Sequence, residues 1–161
     1  MTYFAVGLLL FQVAQLLVVW LGNRQMRTLP STVSERAVPW PSVSIVIAAR
    51  DEEAEIERAL QSVLHLDYPS LEVIVVNDRS SDGTGAILRR LQGRYPQLKV
   101  LDINELPSSW LGKNHALQQG ARLAVGELLL FTDADIVFAP VTLKKAIQAM
   151  ESSQLDHLTL G

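Results

Sequence analysis

Apolar and polar positions change their period several times along this chain, and from residue 42 onward the changes are regular. Val43 to Ala49 (VSIVIAA) is a short apolar, partly β-branched run, which predicts a strand. Glu53 to Leu66 places Ile56, Leu60, Val63 and Leu64 at helical spacing. Leu71 to Val76 (LEVIVV) predicts a second strand. Gly83 to Tyr95 predicts a second helix, with Ile87, Leu88 and Leu91 on its buried side. Leu98 to Ile103 (LKVLDI) predicts a third strand. Lys113 to Val125 predicts a helix whose Ala116, Gly120, Ala121 and Ala124 form a small-residue face. Leu128 to Thr132 predicts a fourth strand, buried, and Val141 to Ser152 a helix started after Pro140. Leu155 to Leu160 reads as the start of a fifth strand.

Strands alternating with helices imply right-handed βαβ units. The expected fold class is therefore α/β, a mostly parallel sheet with helices on both faces. Ligands of such sheets bind at the carboxyl ends of the strands. The polar residues fall there: Arg50-Asp51-Glu52 after strand one, Asn77-Asp78-Arg79 after strand two, and Asp133-Ala134-Asp135 after strand four. Each of these also has a plain explanation, because Asp and Asn favour turns and helix N-caps.

The N-terminus follows another pattern. Residues 4–22 carry no charge and only Gln12 and Gln15 as strongly polar breaks. A bilayer core asks for about 20 apolar residues as helix, so residues 1–22 are expected to form a transmembrane anchor. A cleaved signal peptide is the alternative, but no basic segment precedes the run. A helix packed against other membrane segments would look the same. Arg24 and Arg27 follow the run, which orients the rest of the chain to the cytoplasmic side of the cell membrane. Residues 23–41, with Pro30, Pro39 and Pro41 among Ser and Thr, have linker composition, leaving 42–161 as the folded part.

Composition narrows the function. At 161 residues there is room for one domain, and 48% hydrophobic content supports a core. The net charge of -3 and the absence of a Lys/Arg patch argue against nucleic acid as a partner. With no cysteine, disulfides and thiolate metal sites are excluded. His65, His115 and His157 are scattered and form no metal set.

The sharpest chemical signal is Phe131-Thr132-Asp133-Ala134-Asp135 after Leu128-Leu129-Leu130. Residues i and i+2 of a strand point the same way, so Asp133 and Asp135 are expected to share a face at the mouth of the sheet. Mg²⁺ and Mn²⁺ prefer such oxygen ligands, usually one or two carboxylates plus substrate phosphates.

Four stretches, in order, carry a resemblance. They are Ser44-Ile45-Val46-Ile47-Ala48-Ala49-Arg50-Asp51-Glu52, Val75-Val76-Asn77-Asp78-Arg79-Ser80-Ser81-Asp82-Gly83-Thr84, Gly112-Lys113-Asn114-His115-Ala116-Leu117, and Thr132-Asp133-Ala134-Asp135. Together they resemble family 2 glycosyltransferases of the GT-A fold, and in particular the membrane-anchored members. The resemblance implies a Rossmann-like nucleotide-binding half. It places Asp78 against the uracil ring of a UDP-sugar, with Asp51 beside the base or ribose and Ala49 and Arg50 lining the same loop. Lys113 would meet the diphosphate as a point charge, its alternative being a solvated lysine. Asp133 would face the ribose or sugar, and Asp135 would hold Mg²⁺ or Mn²⁺. Family members often carry Asn-Glu where this chain has Asp51-Glu52, which leaves the contacts of Asp51 open. Trp110 could close over the nucleotide or simply pack its loop.

The implied reaction is transfer of a hexose from a nucleotide-sugar to a lipid or polysaccharide acceptor, inverting the anomeric centre. A carboxylate base would deprotonate the acceptor hydroxyl. No such base is identified, since in the family it follows the Asp-x-Asp motif on the acceptor side. The expectation is therefore the N-terminal part of a longer enzyme. The alternative is a non-catalytic nucleotide-binding half-domain or a fragment needing a partner. A nucleotidyltransferase would favour a Gly-rich basic loop after strand one, which Arg50-Asp51-Glu52-Glu53 does not supply.

Overall fold

The computed structural model describes residues 29–34 and 38–160, together with Gln12 and Gln15. Apart from Gln12 and Gln15, the expected anchor over 1–22 and the first part of the expected linker thus lie outside the described residues. Among those that are described, no helix is long and apolar enough to cross a membrane. The chain divides into two units, Met1–Ser31 and Thr32–Gly161, and the account below concerns the second.

Its elements run β1 (Val43–Ala49), α1 (Ile56–Leu64), β2 (Leu71–Asp78), α2 (Thr84–Gln92), β3 (Leu98–Ile103), α3 (Gly112–Leu123), β4 (Leu128–Asp133) and α4 (Thr142–Ser152). The four strands form one parallel sheet in the order β3-β2-β1-β4. β1 and β2 are central and buried on both faces, which is why they read as continuous apolar runs without alternation.

The alternation nevertheless decides which helix covers which side chain. Ile45, Ile47, Val73 and Val75 point to one face, where Ile56, Leu60 and Val63 of α1, Leu88 and Leu91 of α2, and Leu143 and Ile147 of α4 meet them. Ile74 and Val76 point to the other face, against Ala116 of α3. Each fully buried aliphatic side chain contributes about 1.5–3 kcal/mol of transfer free energy, so the larger first cluster dominates the core. α3 lies close to the sheet because position 120 is glycine. A Cβ there would collide with Val46 and stand 3.1 Å from a methyl of Val76.

Two expectations fail. β4 is not buried throughout: Leu128 and Leu130 turn inward, but Leu129 and Phe131 are 46% and 48% exposed. The reason is position. β4 pairs only with β1 among the described strands, while α3 covers β1 and β2. Leu155 to Leu160 forms no strand, having no ladder partner among the described residues.

The second half of the stretch read as linker has contacts of its own. Ser34 exchanges two hydrogen bonds with Gln148 of α4. Trp40 packs edge-on against Tyr68, whose hydroxyl donates to the Pro41 carbonyl at 2.5 Å.

Candidate functional site

Parallel strands deliver their carboxyl ends to one edge of the sheet, and there the chain opens a cavity of about 320 Å³. Its walls are Ala48, Ala49, Arg50 and Glu52 after β1, Asp78 at the end of β2, Gly112 and Lys113 at the start of α3, and Asp133, Ala134 and Asp135 after β4. Six of the seven residues expected from sequence, Ala49, Arg50, Asp78, Lys113, Asp133 and Asp135, are brought together. Asp51 is not among the lining residues.

Asp51 braces two loops instead. Its backbone is left-handed, at φ 55. Its Oδ1 accepts from the Ser81 N–H at 2.7 Å and the Ser81 hydroxyl at 3.2 Å, while its own N–H donates to Ser80 Oγ. The next residues continue the lacing. Glu52 N–H donates to Thr84 Oγ1, Glu53 N–H to Asp82 Oδ2, and Gly83 N–H to Glu53 Oε2. The loops after β1 and β2 are thus one hydrogen-bonded unit, and Glu52 is the acidic residue it presents to the cavity. Sequence alone does not say which of adjacent loop residues faces the cavity, and here Arg50 and Glu52 do while Asp51 laces the loops.

Asp78 is 3% exposed. Arg79 grips it with a two-pronged fork, Nε to Oδ1 at 2.8 Å and Nη2 to Oδ2 at 3.0 Å. That hydrogen bonding outweighs burial and holds the carboxyl below the ordinary aspartate range, with Arg50 and His115 adding to the effect.

Lys113 Nζ pairs with Asp133 Oδ1 at 2.6 Å, and both side chains are more than half exposed. Such pairs are worth only about 0–1 kcal/mol, so each partner can turn to a ligand at little cost. The helix behind Lys113 starts without a side-chain cap, since Leu111 occupies the N-cap. Its first N–H groups therefore face the cavity edge unsatisfied by a side chain and favour negative charge there.

Asp133 and Asp135 flank the buried Ala134, but not as neighbours on a strand face. β4 ends at Asp133, and Asp135 lies in the following turn. Among the described residues no group of three acidic or histidine side chains forms a ready metal cage. The donor set nevertheless fits Mg²⁺ or Mn²⁺, which take one or two carboxylates and complete their shell with water and substrate phosphate. Asp135 is the residue that would hold it.

The histidines take structural positions. His65 Nδ1 meets the Gln61 carbonyl at 2.7 Å, and its ring packs on Tyr95. His115 is buried, with Nε2 3.1 Å from the Gln119 amide and Trp110 edge-on at 5.5 Å. Trp110 thus packs its loop in this structure. Four lining residues, Ala48, Glu52, Gly112 and Ala134, had no site role assigned from the sequence. Ala48 and Gly112 sit where the backbone must come close to a ligand, and the small side chain is the only signal each carries. Glu52 had only its position beside Asp51.

A family profile described as glycosyl transferase family 2 matches residues 44–160. A probable glycosyltransferase of Bacillus subtilis, YdaM, is 38% identical over 97 residues, covering 59% of this chain and 23% of the relative. A 4,4'-diaponeurosporenoate glycosyltransferase of Staphylococcus aureus is 36% identical over 97 residues, covering 60% and 24%. The chain thus spans about a quarter of the length of these relatives. Among solved structures, the mannosyltransferase PcManGT of Pyrobaculum calidifontis, in complex with GDP-Man and Mn²⁺, superposes with a TM-score of 0.64 at 33% identity, covering 84% of this chain and 39% of that one. TarS 1-349 of S. aureus in complex with UDP-GlcNAc gives 0.56 at 26% identity, covering 74% and 37%. The parallel sheet, the cavity at its carboxyl edge and the matched profile lead to one conclusion: the chain belongs to glycosyl transferase family 2 and has its Rossmann-like GT-A fold.

Proposed function

We propose that this chain is the donor-binding part of a glycosyltransferase that moves a hexose from a nucleotide-sugar, a UDP-sugar in the first instance, to a lipid or glycan acceptor with inversion. The observation that carries the reading is the cavity itself. Asp78 is a fixed carboxylate at the end of β2, and across β1 the end of β4 holds Asp133, loosely paired with Lys113, and then Asp135. A nucleoside diphosphate asks for that division: an acceptor for a ring N–H at one end, cations and a metal-binding carboxylate at the other.

The difficult step in such a transfer is departure of the nucleoside diphosphate. Mg²⁺ or Mn²⁺, when bound, supplies Lewis-acid neutralisation of the leaving phosphate. Arg50 and Lys113 contribute positive charge to the same oxygens. The uncapped N-terminus of α3 adds its partial positive charge on that side. Asp78 and the braced loops hold the base end still, so that the sugar is presented in one orientation. Residues 4–22 would keep this cavity at the cytoplasmic face of a membrane, within reach of a lipid or envelope acceptor.

Retention of a labelled UDP-sugar in equilibrium dialysis with Mn²⁺ tests the reading. The wild type binds it, and Lys113→Ala and Asp78→Asn each weaken binding about tenfold, as loss of a charge-assisted hydrogen bond does. Equal retention by the wild type and both variants would refute the assignment of this cavity.

A further inference from the structure

Arg79 stands in a backbone conformation that costs it energy. Its φ is 58, the left-handed region that L side chains rarely adopt. The strain is held in place from several sides. Arg79 N–H donates to the Ile103 carbonyl at the end of β3, at 3.2 Å. Its side chain turns back to fork the neighbouring Asp78. The first residue of α3 closes over the pair: a Cβ on Gly112 would lie 2.6 Å from Asp78 Oδ2 and 2.9 Å from Arg79 Nη2. Backbone strain retained this way points to what the side chain does.

The arrangement is one-sided. Asp78 lines the cavity and Arg79 does not. The guanidinium therefore takes one set of carboxylate lone pairs from behind and leaves the others to the cavity. A carboxylate oxygen offers two acceptor positions, so forking by Arg79 does not exhaust it. What it removes is freedom, because a planar two-pronged pair fixes the carboxylate plane.

We propose that Arg79 is a positioning residue for base selection: it holds the Asp78 carboxylate as a rigid acceptor, so that the site takes bases whose ring nitrogen brings a proton and rejects those whose ring nitrogen does not. Uracil N3 and guanine N1 carry that proton; cytosine N3 and adenine N1 are acceptors and would oppose the carboxylate. This rests on the reading of the cavity as a nucleotide site. It agrees with the two solved relatives, one bound to GDP-Man and the other to UDP-GlcNAc. The lowered carboxyl of Asp78 supports it, since a protonated Asp78 could donate to the wrong bases.

The test is calorimetric titration of UDP, GDP, CDP and ADP, each with Mn²⁺, into the full chain and its Arg79→Gly and Arg79→Lys variants. Glycine suits the left-handed backbone, so Arg79→Gly keeps its fold, and thermal unfolding checks that it does. The wild type binds UDP or GDP at least about tenfold more tightly than CDP and ADP. Arg79→Gly loses most of that ratio, through weaker UDP and GDP binding, while Arg79→Lys, with charge but no fork, falls between. A pH series supplies a readout that a merely structural role would not move. The ratio of wild-type to Arg79→Gly UDP affinity, in which titration of the nucleotide phosphate cancels, rises as pH falls from about 5 to about 4. In the variant Asp78, still facing Arg50 and His115 but no longer forked, titrates closer to the ordinary carboxylate range. An unchanged base ratio with a pH profile parallel to wild type in Arg79→Gly overturns the role of Arg79 and leaves the nucleotide reading standing. A folded wild type that binds none of the four nucleotides overturns both.

Discussion

Asp78 is at once the most buried acid of the cavity and the most firmly held. Its carboxyl titrates below the ordinary range because Arg79 stabilises the charged form. A depressed carboxyl contributes stability that is fully present above its unfolded value, about 3.9, and is lost as pH falls through its lower folded value. The expected outcome is a melting temperature that drops steeply below about pH 4 in the wild type and less steeply in Asp78→Asn. Thermal unfolding at stepped pH measures it; parallel curves for the two proteins would remove Asp78 from the acid transition. The exposed pair of Lys113 with Asp133 is held loosely, because solvent screens it. The two ion pairs therefore serve different ends: one fixes a group, the other keeps two groups available.

At the scale of elements, the site depends on how closely α3 rides on the sheet. Gly120 permits the contact with Val46 and Val76, and the same helix carries Gly112 and Lys113 into the cavity. Gly120→Val is expected to destabilise the protein by about 1–3 kcal/mol through overpacking. It should also weaken nucleotide binding, since the helix start must shift with its middle. Denaturant unfolding checks the first effect and titration the second; a variant as stable as wild type would show that α3 can move without cost. Much of this level was legible in the sequence. β1 and β3 occupy the residues their apolar runs predict, because burial on the sheet decides both the run and the strand. Helix ends were less legible: Glu53 to Leu66 shrinks to Ile56–Leu64 because the residues after Glu52 are spent lacing two loops. Asp135 reached the cavity for a reason that alternation did not contain, a turn after the strand. Leu129 and Phe131 show the converse, since three leucines in a row do not reveal which face lacks a cover. Pairing and layering are properties of the assembled sheet, and periodicity within one segment carries no information about its neighbours.

For the whole molecule, the fold and the matched profile agree on family 2, and the proposed transfer reaction rests on reading the cavity as a nucleotide site. The apolar residues 4–22 make a separate prediction. The protein should fractionate with membranes and lose that behaviour when residues 1–22 are deleted; recovery of the full chain in the soluble fraction would dismiss the anchor. The central claim, a nucleoside diphosphate held by a carboxylate-bound metal, is tested most directly by calorimetric titration of UDP into the full chain. The titration is run with Mn²⁺ and again with EDTA, for the wild type and for Asp135→Ala. The account predicts binding in the wild type with Mn²⁺, and its loss with EDTA and in the folded variant. Equal UDP affinity in all of these conditions would contradict it.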